Sequence, residues 1–400
     1  MKVVVDEKQI DELLSRGIEN IFPNRDFLKA KMMRGERVTL YLGIDPTGPT
    51  LHMGHVIPIR TLAKFQKMGH KIILLMGDFT AMIGDPSDKS AARKKLSREE
   101  VLKNLREYKK QASKFISFSP FSANRAEFKF NSKWLSKMNF NEVLDLASLM
   151  TVDQMLKRDM FARRTEEGKP IYIHEFLYPL MQGYDSVAMG VDGEIGGNDQ
   201  TFNMLAGRDL VKALNNKEKF VIATKLLVDS TGKKMGKTEN NMVALNQTGE
   251  EMFGKVMSWT DGLIVPGFEI ITDLPLSEVG KIKQDIDSGV NPRDAKMLLA
   301  YEIVKMCHGE SSATKAKQNF ISTFQKKEIP DNIPEIKNEG RPVDVLVVSG
   351  AADSVSSARR LFEAGAVTDI TEDKKLGLKD EFVVGHVYKV GKHNFFKITS

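Results

Sequence analysis

The chain has 400 residues, of which 41% are hydrophobic and 28% are charged, with 59 Lys and Arg against 53 Asp and Glu. This length predicts two or three domains, and its single cysteine, Cys307, excludes an intramolecular disulfide framework and a cysteine-based zinc cluster. The N-terminal residues soon turn charged, and no apolar run approaches the roughly 20 residues of a membrane span. We therefore expect a cytoplasmic protein with no membrane contact. The net charge of +6 is only weak support for binding to a polyanion such as RNA or DNA.

The N-terminal part of the chain has the pattern of a strand–helix–strand unit. Helical periodicity predicts a helical segment over residues 1–35, with Ile18 on its apolar face. A buried strand, Val38 to Ile44, precedes a helix from about His52 to Met68 and a second apolar run, Lys71 to Met76. A strand, helix and strand at this spacing form a βαβ unit and hence a parallel sheet.

The middle of the chain continues the alternation of helices and strands, with helix starts marked by capping boxes. In chain order the patterns predict a helix from Ser97 to about Phe115, a helix opening at Asn139, a charged loop over Asp159–Pro170, a helix over His174–Gln182, a short strand over Val187–Val191, a helix over about Asp199–Leu214 and a strand over Lys219–Ala223.

The pattern changes after residue 225, and the chain divides there. We expect an α/β domain over 1–225, with an insertion at about 113–164 that interrupts the sheet. A helical domain should cover 226–325 and a Pro-containing linker 326–342. A small α+β unit should occupy 343–400. Its predicted parts are a helix, a Ser-capped helix ending at Gly365, and strands around Phe382–Val384 and Val387–Val390.

Two histidines follow the first predicted strand, where open α/β sheets bind ligands. His52 and His55 are three residues apart at a helix start, beside backbone N–H groups that lack intrahelical partners. The helix dipole, these donors and two imidazoles favour a polyphosphate, and Gly54 leaves room for a flat ring. Alternatively, one histidine caps the helix and the other packs. A metal site lacks a third nearby ligand.

A second basic motif follows the last predicted strand of the sheet. Lys234 and Lys237 lie on either side of Gly236 in a polar loop, from which they could reach one phosphate chain from two sides. The spacing does not match a Walker loop, and a solvated basic turn is the alternative.

Together the two motifs resemble the paired signatures of class I aminoacyl-tRNA synthetases. The stretches Gly43–Thr47, Gly84–Ser87, Tyr178–Asp185 and Gly196–Gln200 narrow the resemblance to bacterial-type tyrosyl-tRNA synthetases. It runs in order from about Val38 to Gly254, and the tail from Arg341 resembles an S4 RNA-binding domain. The resemblance implies a Rossmann-like, doubly wound parallel sheet in the catalytic domain, a helical anticodon-binding domain and an S4-like domain.

The resemblance also implies the reaction. Such enzymes join L-tyrosine to ATP, giving tyrosyl-adenylate and pyrophosphate, and then transfer tyrosine to the 3′ end of tRNA(Tyr). The attacking carboxylate is already ionised at neutral pH, so no general base is required and catalysis rests on positioning and electrostatic stabilisation. Mg²⁺ would accompany ATP, bound mainly through phosphate oxygens, with no tightly bound protein metal. A homodimer is the expected assembly.

Site residues are carried over from the family motif by motif. The implied phosphate and transition-state contacts are Thr47, His52, His55, Lys234 and Lys237. Lys89 and Arg93 would face the pyrophosphate, with a solvated helix entry as the alternative. The implied tyrosine contacts are Tyr41 and Asp185 at the phenolic hydroxyl, Asp85, Tyr178 and Gln182 at the ammonium group, and Gln200 near the carboxylate. The implied ATP contacts also include Gly43, Asp45, Gly54, Gly197, Asp199, Leu227 and Val228.

The hydroxyl contacts predict selectivity, because phenylalanine would leave them unpaired. Enzymes of this family are themselves the standard example, with rejection on the order of 10⁵-fold, a scale taken from them and not from this sequence. Asn198, Thr201 and Phe202 depart from the family pattern, which has Ser or Thr and then Trp-Gly. A tryptophanyl enzyme, an adenylate-forming enzyme without an RNA substrate and an inactive RNA-binding relative remain the alternatives.

Two further surfaces have expected partners. Arg359 and Arg360 in the tail are the candidates for tRNA phosphates. Residues 331–400 hold ten Lys and Arg against eleven Asp and Glu, so attraction would be local. A packing role for the tail is the alternative. The insertion holds an apolar set that would pack on a partner subunit or on its own sheet: Trp134, Leu135, Leu144, Leu146, Leu149 and Met150.

Overall fold

A computed structural model describes residues 2–85, 96–228, 242–325, 333–338, 340–391 and 394–399. The chain forms two compact units, Met1–Ala313 and Thr314–Ser400. Within the described ranges, no helix is both long and apolar enough to pass through a lipid bilayer.

The first unit alternates helices and strands and then becomes helical. Its strands are β1 (Ile18–Phe22), β2 (Thr39–Ile44), β3 (Lys71–Met76), β4 (Glu127–Phe130), β5 (Gly193–Gly197) and β6 (Phe220–Thr224). Its helices up to β6 are α1 (Glu7–Leu13), α2 (Arg25–Met33), α3 (Met53–Lys67), α4 (Arg98–Ala112), α5 (Ser132–Leu135), α6 (Phe140–Ala147), α7 (Val152–Leu156), α8 (Asp159–Glu166), α9 (Ile173–Met189) and α10 (Thr201–Asn215). The later helices are α11 (Gly249–Met257), α12 (Ile264–Ile271), α13 (Leu276–Asp287) and α14 (Arg293–His308), and α15 (Glu310–Gln325) crosses into the second unit.

The described strands of this unit form one sheet in the order β1-β6-β5-β2-β3-β4. All neighbours are parallel except β1, which is antiparallel to β6 at the edge. The chain leaves β2 through α3 to reach β3 on one side, and β5 later joins β2 on the other side. The strand order therefore reverses between β2 and β5, which is where doubly wound sheets bind ligands. The predicted Rossmann-like sheet is confirmed.

The elements next to this switch point lie close to their predicted bounds. The side chains of β3 from Ile72 to Met76 are all buried, as expected for a parallel strand covered on both faces. His52 is the N-cap of α3, and Met68 is its C-cap.

The first 35 residues are not a continuous helical segment, so that prediction is wrong. Ile18 begins the edge strand β1, which lies between α1 and α2 and pairs with β6. The apolar residues of this segment fit one face of a helix in the sequence. The backbone pairing of β1 with β6 nevertheless decides the conformation around Ile18.

Two predictions around α8 and α9 are also wrong. The charged stretch Asp159–Pro170 contains the helix α8, because Phe161 is completely buried and holds the segment against the core. The predicted strand Val187–Val191 is absent from the described residues, since α9 continues to Met189. It ends at Gly190, whose left-handed φ of 63° favours glycine. The strand that does form in this region is β5. It is rich in glycine and lacks the alternation of apolar and polar residues by which a strand is predicted.

The insertion at 113–164 does not interrupt the sheet, contrary to prediction. It supplies β4, which pairs in parallel with β3. Leu135 and Leu146 are buried within their own chain, whereas Leu144 is 52% exposed and Leu149 is 40% exposed. The apolar set therefore divides between the unit's own core and its surface.

The second unit is a small α+β structure. Its elements are β7 (Glu335–Lys337), α16 (Pro342–Val348), α17 (Val355–Glu363), β8 (Val367–Asp369), β9 (Lys374–Lys375), β10 (Val387–Val390) and β11 (Asn394–Thr399). The described strands form a sheet in the order β7-β11-β10-β8-β9. A buried aromatic group, Phe382, Tyr388 and Phe396, lies in its core, with ring centroids 4.6 to 5.6 Å apart.

Three details of this unit differ from the prediction. Part of the predicted linker forms β7, which pairs in parallel with β11. The stretch Phe382–Val384 is not a strand, because Phe382 is a buried core side chain in a loop while Val383 and Val384 are exposed. The strands β8, β9 and β11 were not predicted.

Candidate active site

The loop after β2 is fixed from one side by α4. The Tyr108 hydroxyl donates to the Gly48 carbonyl at 2.7 Å, and the Asn104 amide donates to the Pro46 carbonyl at 2.9 Å. The Gln111 amide oxygen accepts from the backbone N–H of Leu51 at 2.8 Å. These contacts hold Thr47, which is partly buried, at the carboxyl end of β2 beside the switch point.

His52 and His55 form a reciprocal cap at the start of α3. His52 Nδ1 accepts from the backbone N–H of Gly54 at 3.1 Å, and His55 Nδ1 accepts from the backbone N–H of His52 at 3.2 Å. A ring nitrogen that accepts cannot carry a proton, so the proton of each neutral ring is assigned to Nε2. Both imidazoles cap the helix, and each has a second nitrogen that can donate to an anion.

Gly54 is required by this arrangement. The His52 ring lies over it, and a Cβ at position 54 would stand 2.9 Å from His52 Cε1. The flat ring expected to approach the backbone here is, in this structure, the imidazole of His52. The two histidine rings are 3.9 Å apart between centroids.

Asp45 lies directly after β2 and accepts two hydroxyl hydrogen bonds. Thr80 donates to it at 2.7 Å and Tyr178 at 2.8 Å. Burial outweighs these hydrogen bonds and raises the pKa of Asp45 to about 7. Burial also raises the pKa of Tyr178 well above its ordinary value, and the nearby carboxyl of Asp45 raises it further, so the phenol stays a donor.

Asp85 is held by two side chains from different elements. Arg158, which precedes α8, approaches one carboxylate oxygen at 3.2 Å, and the Gln200 amide donates to the other at 2.6 Å. Asn203 in turn donates to the Gln200 amide oxygen at 2.9 Å. The guanidinium of Arg158 lies over the rings of Phe161 and Phe202, so this cation is buried against aromatic faces.

Asp185 is the most buried of the four predicted site carboxylates, at 3% exposure. The indole N–H of Trp134 donates to it at 2.7 Å and the amide of Asn131 at 3.3 Å. Burial raises the pKa of Asp185 well above its ordinary value, and these two donors act against that shift. Asn131 also donates to the Thr80 hydroxyl at 3.0 Å, which links the surroundings of Asp185 to those of Asp45.

Tyr41 is completely buried, and its hydroxyl lies 2.9 Å from Ser186 Oγ. Gln182 does not point its amide at an open pocket, because it donates to Glu194 at 3.0 Å. Glu194 is in turn paired with Lys219, and both side chains are buried. Tyr41 on β2 was predicted to contact the phenolic hydroxyl of tyrosine, and Gln182 on α9 its ammonium group. Both residues therefore contact one buried polar network.

Comparisons with known proteins assign this chain to a family. The model of class I tRNA synthetases for tryptophan and tyrosine matches residues 33–325. The tyrosine–tRNA ligases of Carboxydothermus hydrogenoformans and Thermotoga maritima are each 42% identical to this chain, over 98% of it and 98% of their own lengths. The chain belongs to the tyrosine–tRNA ligase family. A C-terminally truncated mitochondrial tyrosyl-tRNA synthetase from Aspergillus nidulans has a TM-score of 0.66 and 25% identity, covering 79% of this chain and 94% of that one.

The remaining residues carried over from the tyrosine–tRNA ligases lie at the ends of β2, β5 and β6. Gly43 is exposed near the end of β2, and Gly197 ends β5. Asp199 is exposed, Leu227 is buried and Val228 is partly buried. Lys89, Arg93, Lys234 and Lys237 lie outside the described residues.

Sequence reasoning missed several side chains that hold the tyrosine–tRNA ligase residues in place. They are Thr80, Asn131, Arg158, Ser186, Glu194 and Lys219, and Trp134 was assigned only to an apolar set. Asn131 follows β4, a strand that was not predicted. Ser186 follows Asp185 directly, which is a signal that could have been used. Lys219 was predicted only as the first residue of a strand, with no functional role.

Proposed function

We propose that this chain catalyses the tyrosine–tRNA ligase reaction: ATP and L-tyrosine give tyrosyl-adenylate and pyrophosphate, and tyrosine is then transferred to the 3′ end of tRNA(Tyr). The observation that carries the proposal is the set of carboxylates Asp45, Asp85 and Asp185, gathered with the phenols of Tyr41 and Tyr178 at the sheet's switch point. L-tyrosine has both an ammonium group and a phenolic hydroxyl, so this one substrate could pair with the carboxylates and with the phenols.

The tyrosine end of the site has both kinds of partner that the substrate needs. Asp85, Tyr178 and Gln182 would bind the ammonium group, and Gln200 would lie near the carboxylate. Tyr41 and Asp185 would bind the phenolic hydroxyl. Burial raises the pKa of Asp45 and of Asp185, so a bound ammonium group nearby would favour their charged forms and offset part of the cost of burying them.

The phosphate end would use donors and cations rather than a base. His52 and His55 would donate from Nε2 to phosphate oxygens, beside Thr47 and the start of α3. Lys234 and Lys237 would neutralise the charge that develops on pyrophosphate, with Lys89 and Arg93 on the same side. Gly197, Asp199, Leu227 and Val228 would contact the ribose and adenine, together with Gly43, Asp45 and Gly54.

Mg²⁺ would enter with ATP and neutralise phosphate charge. Among the described residues, no group of three or more His, Cys, Asp or Glu side chains is arranged to hold a metal ion. In the proposal the ion is bound mainly through phosphate oxygens of ATP.

The first test is ATP–pyrophosphate exchange without tRNA, using tyrosine, tryptophan and phenylalanine separately. Exchange with tyrosine alone is expected, and exchange with none of the three would overturn the proposal. Asp185→Ala should abolish exchange or the selectivity for tyrosine. Unchanged exchange with phenylalanine still rejected would remove Asp185 from the site.

The signature lysines need a separate measurement. Lys234→Ala and Lys237→Ala should each slow adenylate formation more than they raise the Michaelis constant for ATP. Lys281→Ala, which removes an exposed lysine of α13, is the matched control and should leave exchange unchanged. A change in the ATP Michaelis constant alone would contradict a transition-state role.

The partners and domain roles complete the proposal. The helical segment 226–325 would bind the anticodon region, and the α+β part of the chain over 343–400 would bind tRNA through Arg359 and Arg360. Both arginines are exposed on α17. The exposed apolar side chains Phe140 and Leu144 of α6 favour a homodimer formed through the insertion.

A further inference from the structure

A buried ammonium group lies in the polar network behind the tyrosine site. Lys219 is the only lysine among the described residues that is buried, and none of its side chain is exposed. Its Nζ donates to Ser186 Oγ at 2.7 Å, to the Met204 carbonyl at 3.2 Å and to the carboxylate of Glu194. Three acceptors match the three hydrogens of a charged ammonium group.

The charge of Lys219 fixes the direction of its hydrogen bond to Ser186. An ammonium group cannot accept, so Ser186 Oγ must accept from it. The single hydroxyl hydrogen of Ser186 can then go to Tyr41 at 2.9 Å or to Glu194 at 3.5 Å. Of these two, only the Tyr41 oxygen lies within the usual O–H···O range, so it is the better acceptor for the Ser186 hydrogen, although the 2.9 Å contact can be made in either direction.

The direction of this contact decides where the Tyr41 hydrogen points. When Ser186 donates to Tyr41, the hydrogen of Tyr41 must point elsewhere. The Gln182 carbonyl, at 3.4 Å, is too distant to hold that hydrogen strongly, and the carboxylate of Glu194 is its other acceptor in the network. Tyr41 stays protonated, since burial raises its pKa well above the ordinary value and the carboxylates of Glu194 and Asp185 raise it further. Tyr41 is therefore a donor, and a substrate oxygen would compete with Gln182 and Glu194 for its hydrogen.

We propose that Lys219 and Ser186 are positioning residues that orient the Tyr41 hydroxyl as a donor to the phenolic oxygen of the substrate. Asp185 then accepts the substrate's own hydroxyl hydrogen, so the two partners have opposite and fixed roles. The inference rests on the proposed function and adds a physical reason for the selectivity for tyrosine over phenylalanine. Phenylalanine would leave a directed donor and a buried carboxylate unpaired.

The competing explanation is that the Lys219–Glu194 pair only stabilises the contact between β5 and α10. A purely structural pair would affect all amino-acid substrates equally. A directed hydrogen bond affects only substrates with a phenolic oxygen. The ratio of kcat/KM for tyrosine to kcat/KM for phenylalanine, measured by pyrophosphate exchange, therefore separates the two explanations.

The central experiment is a double-mutant cycle with Ser186→Ala and Tyr41→Phe. Ser186→Ala alone should lower kcat/KM for tyrosine by about 3- to 10-fold, the range of one net hydrogen bond, and leave the value for phenylalanine unchanged. In the Tyr41→Phe background, Ser186→Ala should cause no further loss. Equal losses in both backgrounds, or for both amino acids, would overturn the inference.

A second variant tests the charge itself. Lys219→Met alone leaves Glu194 as a buried unpaired carboxylate and is expected to unfold the chain. The double variant Lys219→Met, Glu194→Gln removes both charges and keeps an acceptor for the Gln182 amide. It should fold and lose tyrosine selectivity by a similar factor. A folded double variant with the wild-type selectivity ratio would contradict the inference.

A control variant and the activity of the wild-type chain complete the test. Thr272→Val removes a buried hydroxyl that donates to the Phe268 carbonyl in the helical segment, and it should leave the ratio unchanged. Absence of tyrosine-dependent exchange in the wild type would overturn the proposed function and this inference with it. Exchange that is normal in the wild type but independent of Ser186 would overturn this inference alone.

Discussion

Replacing Trp134 with Phe should weaken tyrosine activation through Asp185. The indole N–H lies 2.7 Å from the carboxylate, whereas the second donor, Asn131, lies at 3.3 Å, so Trp134 supplies the stronger hydrogen bond. Asp185 is 3% exposed, so water cannot easily replace the lost donor. A hydrogen bond to a charged group contributes about 1.5–3 kcal/mol, which corresponds to roughly a 10- to 150-fold loss in kcat/KM for tyrosine.

The loss should depend on pH in a defined direction. Trp134 holds the pKa of Asp185 down against burial, so its removal raises that pKa further and favours the neutral acid. The acid limb of the pH profile of kcat/KM should therefore move to higher pH.

Pyrophosphate exchange between pH 5.5 and 9, with tyrosine and phenylalanine in parallel, measures both effects. The matched control is Trp259→Phe, which changes the other tryptophan of the chain, a buried residue after α11. It should leave the profile in place. If Trp134→Phe reproduced the wild-type acid limb and selectivity, the indole would not support the charge of Asp185.

Three further variants test separate parts of the proposal. The raised pKa of Asp45, about 7, means that the folded chain binds a proton that the unfolded chain releases near pH 4, so stability falls as pH rises through this window. In urea unfolding at pH 5 and pH 8, Asp45→Asn should reduce that fall by at most about 3 kcal/mol between these two values. Replacing Arg359 and Arg360 with Ala should raise the Michaelis constant for tRNA several-fold in aminoacylation and leave pyrophosphate exchange unchanged; an equal loss in both assays would contradict a tRNA contact. Leu144→Asp should shift a homodimer toward monomer in analytical ultracentrifugation, and a sedimentation profile like the wild type would place the interface elsewhere.

The parts of the fold that could be predicted are those with a strong local signal. The strand β3 has an unbroken apolar run, and α3 has a cap at His52 and a glycine just beyond its end, so their bounds follow from the sequence. The strands β1 and β5 could not be found in this way. One is an edge strand with an irregular pattern, and the other is largely glycine, so partner strands and not propensity decide them.

The same division applies to the site. Motifs identified the residues proposed to touch substrate, since the family resemblance is carried by those stretches. They did not identify the residues that hold them, because these come from the residue after β4, from the segment before α8 and from the residue before β6. Such side chains are brought together only by tertiary structure, and a buried asparagine or lysine has no local signature.

Burying a lysine costs free energy, and that cost bears on the role of Lys219 behind the proposed tyrosine site. Burial lowers the pKa of Lys219, and the Glu194 carboxylate opposes that shift, so the pair is stable only with all its hydrogen bonds intact. A well-packed apolar pair would stabilise the fold as well or better. An apolar pair could not donate to Ser186, however, and so could not direct the proton of Tyr41. The arrangement therefore makes physical sense as a device for substrate selectivity, and the Ser186→Ala cycle in the Tyr41→Phe background measures whether it acts as one.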